Sequence, residues 1–371
     1  MPIKILNVIS DTNIGGAGRV LLTYLKNRNK TRFELVVALP TASALIPAIK
    51  ALGVTAIEIE GLAEQTFSYS GLLGLRRTIK TIKPDIVHTH ASLSARIAAK
   101  FCRGVKVIYT RHTAYPNKLT MTRTPVRQII GFANNFLSDR IIAVSPTALE
   151  NMVEAGVSPR KVDIIFNGTD KIIKPDENER TAIRSIYNIN ESDFLCGIFA
   201  RLVPIKGHDI ILDAAKLLRD LPNVKIIIAG SGELEKTIKD RIERDRLGNV
   251  VFTGFIENPE TLMASLDVQL NASSTEATSI SLLEGMSVGI PSIVSNCGGN
   301  PYVISDRLNG LILGERDGVS LANAIRTLYE DKQLYNELAK NAEIVFNDRF
   351  TAEIMAHRIE EVYINVFGGD Q

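Results

Sequence analysis

The stretch LCGIFARLVPIKGHDIILDAAKLLR (Leu195–Arg219) reads as strand, loop and helix in direct succession. Leu195–Phe199 is an apolar run of strand length, Pro204 and Gly207 interrupt it, and His208–Arg219 is amphipathic over a helical length. A second short apolar run, Lys225–Ala229, follows the helix. A helix joining two such runs implies that the strands are parallel and the crossover right-handed.

The same alternation runs outward in both directions. Toward the N-terminus, strands are expected at Ile3–Ile9, Phe33–Leu39, Thr55–Ile59, Ile86–His90, Val105–Thr110, Ile141–Val144 and Val162–Ile165, with helices such as Ala17–Lys26 and Leu72–Lys83 between them. Toward the C-terminus, Val250–Thr253, Val268–Asn271 and Ser292–Ser295 continue the series, with a helix at Leu234–Asp245. After Pro291 strands thin out and helices dominate. Two series in 371 residues predict an α/β protein of two doubly wound, Rossmann-like domains facing across a cleft. The polar stretch Asn167–Arg180 is the expected linker. The boundaries are then 1–168 and 169–350, with a last helix, about 351–371, crossing back onto the first domain.

Composition narrows the function. The apolar runs fall far short of the roughly 20 residues of a spanning helix, and the N-terminal one is too short for a signal peptide, so a cytoplasmic location is expected. Three isolated cysteines, Cys102, Cys196 and Cys297, form neither a disulfide pattern nor a zinc spacing. The net charge of +2 hides an asymmetry: residues 1–170 hold 22 basic against 11 acidic residues, the remainder 21 against 30. From Gln65 to Ser138 twelve cations face Asp85 alone. Such a segment attracts phosphates, acidic saccharides or anionic lipid. Nucleic acid is not expected, because basic and aromatic residues are not interleaved and no recognition motif is present.

Ligands of open parallel sheets bind beyond the carboxyl ends of the strands, so the loops there carry the chemistry. After the first strand come Gly15 and Gly16, entering a helix. The next strand ends in Leu39-Pro40, with no acidic residue to hold a ribose, which disfavours a dehydrogenase-type dinucleotide site. After Phe199 come Arg201 and Lys206-Gly207, a fork and a point charge that can converge on phosphates. A second glycine pair, Gly298-Gly299, follows the strand Ser292–Ser295. Between them lies SSTEATSISLLEG (Ser273–Gly285), whose carboxylates Glu276 and Glu284 have no basic residue near them from Ala272 to Pro291. A helix starting near Thr278 or Ser279 puts Glu276 in the loop ahead of it and Glu284 more than a turn inside, with the backbone amides of Ser279, Ile280 and Ser281 free. Amides suit a diphosphate and carboxylates suit vicinal sugar hydroxyls, so the segment reads as a nucleotide-sugar site.

Glu276-x7-Glu284, Arg201-x4-Lys206-Gly207, the Gly15-Gly16 loop and Asn167-Gly-Thr-Asp170 together resemble the retaining glycosyltransferases of family 4 (glycosyl transferases group 1), which have the GT-B fold. The resemblance spans essentially the whole chain. It implies transfer of a hexosyl-type sugar, with retention, from a UDP- or GDP-sugar to a hydroxyl of a saccharide or lipid-linked acceptor, in cell-surface polysaccharide or glycolipid synthesis. Glu276 would contact the transferred sugar, Glu284 the ribose, and Arg201 and Lys206 the diphosphate. The Gly15-Gly16 loop would close on the donor, and the first domain would receive the acceptor. His112, after the strand ending at Thr110, matches the family's active-site histidine near an outer hydroxyl of the donor sugar. The sequence departs from the family at Gly18 and Tyr302, where glutamate is common, and at Ala277, where glycine is common.

No Asp-x-Asp occurs, so no metal and no cofactor beyond the donor are expected, and protein cations with helix amides would offset the leaving charge. His88 and His90 share a strand face, but no third metal ligand is placed by spacing. A GT-B nucleotide-sugar epimerase and a non-catalytic sugar-nucleotide-binding subunit are the alternatives; the intact Arg201, Lys206, Glu276 and Glu284 weigh against the second. The basic segment, notably Gly74–Lys83 with Arg76, Arg77, Lys80 and Lys83, suggests peripheral contact with the inner face of an anionic membrane.

Overall fold

The computed structural model describes residues 2–63, 67–90 and 92–369; Gln65, which opens the basic segment, and Asp370 and Gln371, at the end of the expected last helix, lie outside them. The chain divides into two compact units, one made of the chain up to Gly168 with the stretch from Ala352 onward, the other of Thr169–Thr351.

The first unit is built on strands β1 (Ile3–Ile9), β2 (Phe33–Pro40), β3 (Thr55–Ile59), β4 (Ile86–His90), β5 (Lys106–Arg111), β6 (Arg140–Ala143) and β7 (Val162–Ile164). They form one parallel sheet in the order β3-β2-β1-β4-β5-β6-β7. The second unit has β8 (Phe194–Phe199), β9 (Val224–Ala229), β10 (Val250–Gly254), β11 (Val268–Asn271), β12 (Ser292–Ser295) and β13 (Gly310–Leu313), parallel in the order β10-β9-β8-β11-β12-β13. Successive side chains of a strand alternate between faces, and here both faces are apolar. Cys196 and Ile198 of β8 join one core with Ile226 and Ile228 of β9, whereas Leu195 and Ile227 join the core on the other face. The strand order reverses between β1 and β4 and between β8 and β11, which fixes where each sheet can accept a ligand.

Three features depart from the sequence expectation. The strand β13 was not among the expected strands, although helices otherwise dominate beyond Pro291 as expected; its four residues, Gly-Leu-Ile-Leu, are too few for an unambiguous periodicity. The stretch expected to be linker as far as Arg180 contains the start of a helix, Glu177–Ile186, closed by a capping box between Asp176 and Glu179. That helix inserts Arg184, fully buried, whose guanidinium pairs with Asp267 at 2.7 Å and donates to the carbonyls of Ser265 and Asp193. Finally, within the basic stretch of the helix Tyr69–Ile82 the apolar residues Leu75 and Ile79 are inside the first unit's core, while Arg76, Arg77, Lys80 and Lys83 are exposed, with Tyr69 and Leu73 exposed earlier in the same helix. The last helix, Ala352–Gly368, packs within the first unit, its Tyr363 ring set edge-on against Tyr24 and Phe33. No described helix is long and apolar enough to cross a membrane.

Candidate functional site

In the second unit the loops after β8 and β11 are locked together at the point where the strand order reverses. Gly207 has φ +71°, and a Cβ there would lie 2.1 Å from the Ala272 carbonyl oxygen, so a side chain is excluded on both counts. Ser274 N donates to Ile205 O at 2.8 Å. This seating brings Lys206 Nζ to 2.7 Å from Glu276 Oε2, with both side chains largely buried. The carboxylate that appears unpartnered along the sequence is therefore paired across 70 residues. Arg201, five residues before Lys206, has an exposed side chain; its carbonyl accepts from His208 Nε2 at 3.0 Å.

The glycine pair after β12 supports the same loop from behind. Gly299 N donates to Glu276 O at 2.8 Å. A Cβ on Gly298, at φ +52°, would fall 2.1 Å from Glu276 O, and one on Gly299 would fall 1.5 Å from Ala277 O. The loop's earlier carbonyls are held too: Ala272 O accepts from Arg316 Nε at 2.9 Å, and Ser273 O accepts from Ser295 Oγ and from Cys297 Sγ at 3.0 Å. Burial pushes the Cys297 thiol above its ordinary pKa, which suits this packing role and not a nucleophilic one. Nothing in the sequence marked Arg316, Ser295 or Cys297, because each acts through a backbone carbonyl.

The helix after Glu276 begins at Ile280 with Ser279 as its N-cap residue, and the hydroxyls of Ser279 and Ser281 lie 3.2 Å apart. It runs only to Met286. Glu284 sits in its second turn, 3% exposed, and Ser287 Oγ donates to its carbonyl.

The first unit carries a separate polar cluster at the carboxyl ends of β4 and β5. His88 Nδ1 lies 2.7 Å from the Tyr363 hydroxyl and its Nε2 2.6 Å from Thr110 Oγ1; His90 Nδ1 lies 2.8 Å from His112 Nε2. The rings of His88, His90 and His112 are stacked in sequence, with centroids 4.6 and 5.1 Å apart. Asn7 Oδ1 lies 3.4 Å from His90 Nε2, on the far side of the ring from His112. Burial keeps the stack neutral: His88 is pushed down to about 3, His112 to about 4, and His90 is held well below its ordinary value. Both nitrogens of His88 and of His90 are thus engaged by protein groups. His90, which the sequence placed only on the same strand face as His88, is the direct partner of His112.

The loop after β1 leads into the helix Gly16–Asn27 with Gly15 as its N-cap, and Gly15 and Gly16 are exposed. Gly18 is buried against Leu45, and a Cβ there would lie 2.9 Å from Leu45 Cδ2, which explains why glutamate cannot stand at this position without displacing Leu45.

The sequence profile of glycosyl transferases group 1 matches residues 179–345, and that of glycosyltransferase family 4 matches residues 14–171. The chain belongs to the group 1 glycosyltransferases. This group 1 glycosyltransferase is 27% identical over 300 residues to the putative glycosyltransferase EpsD of Bacillus subtilis, covering 76% of this chain and 78% of that one. It is also 27% identical over 308 residues to the UDP-Gal:alpha-D-GlcNAc-diphosphoundecaprenol alpha-1,3-galactosyltransferase of Escherichia coli, covering 80% and 79%. Among solved structures, Anabaena HepE in complex with UDP and glucose superposes with a TM-score of 0.83 at 23% identity, over 97% of this chain and 99% of HepE. The two parallel-sheet units have the GT-B architecture.

Proposed function

We propose that this group 1 glycosyltransferase moves a hexosyl unit from a UDP-sugar to a hydroxyl of a lipid-linked saccharide, retaining the anomeric configuration and requiring no metal. The reading is carried by the Lys206–Glu276 pair, held by Gly207, Gly298 and Gly299 at the strand-order reversal of the second unit. UDP as the donor's nucleotide is supported by the HepE complexes and by the donor named for the E. coli relative, and a lipid-linked acceptor by the diphosphoundecaprenol in that relative's name. Lys206 and Arg201 neutralise charge that grows on the departing diphosphate, and donors of this kind are each worth about 3 to 4 kcal/mol in a water-excluded site. Glu276, relieved of Lys206 by the phosphate, accepts hydrogen bonds from hydroxyls of the transferred sugar. Glu284 holds the ribose, and Ser279, Ile280 and Ser281 lie along the diphosphate. His112, the Gly15-Gly16 loop and the acceptor belong to the first unit's part of the reaction. In the transfer, the bond from the anomeric carbon to the diphosphate oxygen breaks, the bond to the acceptor oxygen forms on the same face, and the acceptor's proton passes to the leaving phosphate.

The test is a panel of UDP- and GDP-sugars with polyprenyl-diphosphate-linked and soluble saccharide acceptors, assayed in EDTA. Transfer from a UDP-sugar, with the donor's anomeric configuration preserved in the product by NMR, is expected. A strict magnesium or manganese requirement, an inverted product, or conversion of the donor without any acceptor would each refute the corresponding part of the reading.

A further inference from the structure

The helix Val126–Leu137 is built inside out. Its inward side is mostly small and polar, with Leu137 the one large apolar residue buried: a Cβ on Gly131 would lie 2.3 Å from Gly156 O, Asn134 Oδ1 accepts from Arg96 Nη1 at 2.7 Å, and Asn135 Nδ2 donates to Gly156 O at 3.3 Å. Its outward side is apolar. Val126, Ile129, Phe132 and Phe136 follow one another at helical spacing and are all exposed, Phe132 by 72% and Ile129 by 64%. The Phe132 and Phe136 rings stack at 5.9 Å. A surface helix in a globular protein ordinarily turns such a stripe to the core, and a contiguous exposed apolar stripe marks an interaction site.

The surrounding charge identifies the partner. Lys118, Arg123 and Arg127 are exposed at the helix's N-terminal end; at the other end Lys100 stands 5.6 Å from the Phe136 ring centre and is paired with Asp139 at 3.2 Å. No acidic residue occurs between Asp85 and Asp139. Apolar side chains along the helix and exposed cations at its N-terminal margin match the boundary between acyl chains and anionic headgroups. We infer that the helix Val126–Leu137 is the element by which this protein docks, reversibly, on an anionic phospholipid bilayer, with Ile129, Phe132 and Phe136 entering the acyl boundary. The helix Tyr69–Ile82 buries Leu75 and Ile79 in the core, and its exposed Arg76, Arg77 and Lys80 add long-range attraction. The inference does not depend on the donor-site assignment, since it involves none of those residues.

The chain contains no tryptophan, so Phe132→Trp supplies a single emission reporter at the stripe. With vesicles of phosphatidylglycerol and phosphatidylcholine, its emission should shift to the blue and the protein should pellet, with neither effect on pure phosphatidylcholine. Ile129→Ser with Phe132→Ser should weaken pelleting by roughly tenfold or more while leaving UDP binding and the unfolding transition unchanged, since both side chains are exposed. Lys118→Gln with Arg123→Gln should weaken it most at low salt. Equal pelleting of the wild type and the double serine variant, no pelleting on anionic vesicles, or a wild-type dimer that the serine variant dissociates would overturn the inference.

Discussion

Gly299→Ala tests the support of the Glu276 loop without touching any charged group. A methyl on Gly299 would stand 1.5 Å from the Ala277 carbonyl oxygen, where non-bonded atoms need at least about 3.0 Å, so the two backbone segments must part by about 1.5 Å. The partner is a main-chain carbonyl, which cannot rotate away, and the adjacent bond from Gly299 N to Glu276 O is strained by the same movement. Overpacking of this kind costs about 1–3 kcal/mol of stability. A displacement of about 1 Å in a reacting group costs on the order of 100-fold in rate, so turnover should fall by two orders of magnitude or more. Gly248→Ala is the control, because a Cβ there meets nothing within 4 Å. Steady-state transfer assays and thermal unfolding would be run on both variants. If Gly299→Ala keeps turnover within about threefold of wild type and the same melting temperature, a scale on which the predicted loss of about 100-fold could not hide, then the glycine pair does not position Glu276.

Lys206→Ala should lower turnover by about 100- to 1000-fold, whereas Glu276→Gln should lower turnover yet tighten UDP binding, because it frees Lys206 from its counter-ion and removes a negative charge near the phosphates; calorimetric dissociation constants separate the two, and weaker UDP binding in Glu276→Gln would contradict the assignment. Glu284→Gln should instead weaken UDP itself, and unchanged affinity would exclude it from the ribose. The histidine stack predicts a pH dependence. Above the ordinary histidine pKa of 6.5 the rings are neutral in both folded and unfolded chains and contribute no slope. Below it the unfolded chain takes up protons that the folded stack refuses, so stability falls with pH by up to about 1.4 kcal/mol per pH unit for each histidine. The loss ends near pH 4 for His112 and near pH 3 for His88. Urea unfolding of the whole chain between pH 7 and pH 5 should show this decline, and a smaller one in His112→Gln; a flat profile would mean that the stack is not held neutral by burial.

The alternation of short apolar runs with amphipathic segments determined two parallel-sheet units, because strand and helix periods are local properties of the chain and a buried parallel strand must be apolar on both faces. The helix start at Ser279–Ile280 was legible for the same reason, and so was the position of Glu276 ahead of it. Pairing was not legible. That Lys206 meets Glu276, that His90 meets His112, and that Gly298 and Gly299 serve the Glu276 loop are contacts between strand ends brought side by side by the sheet order, at sequence separations that no local pattern encodes. The basic segment shows the same division. Its charge could be counted along the chain, but the helix Tyr69–Ile82 and the helix Val126–Leu137 both alternate apolar and polar residues. Only the packing of Leu75 and Ile79 into the sheet's core, and of Gly131 onto Gly156, decided that one helix buries these two apolar residues and the other exposes Ile129, Phe132 and Phe136.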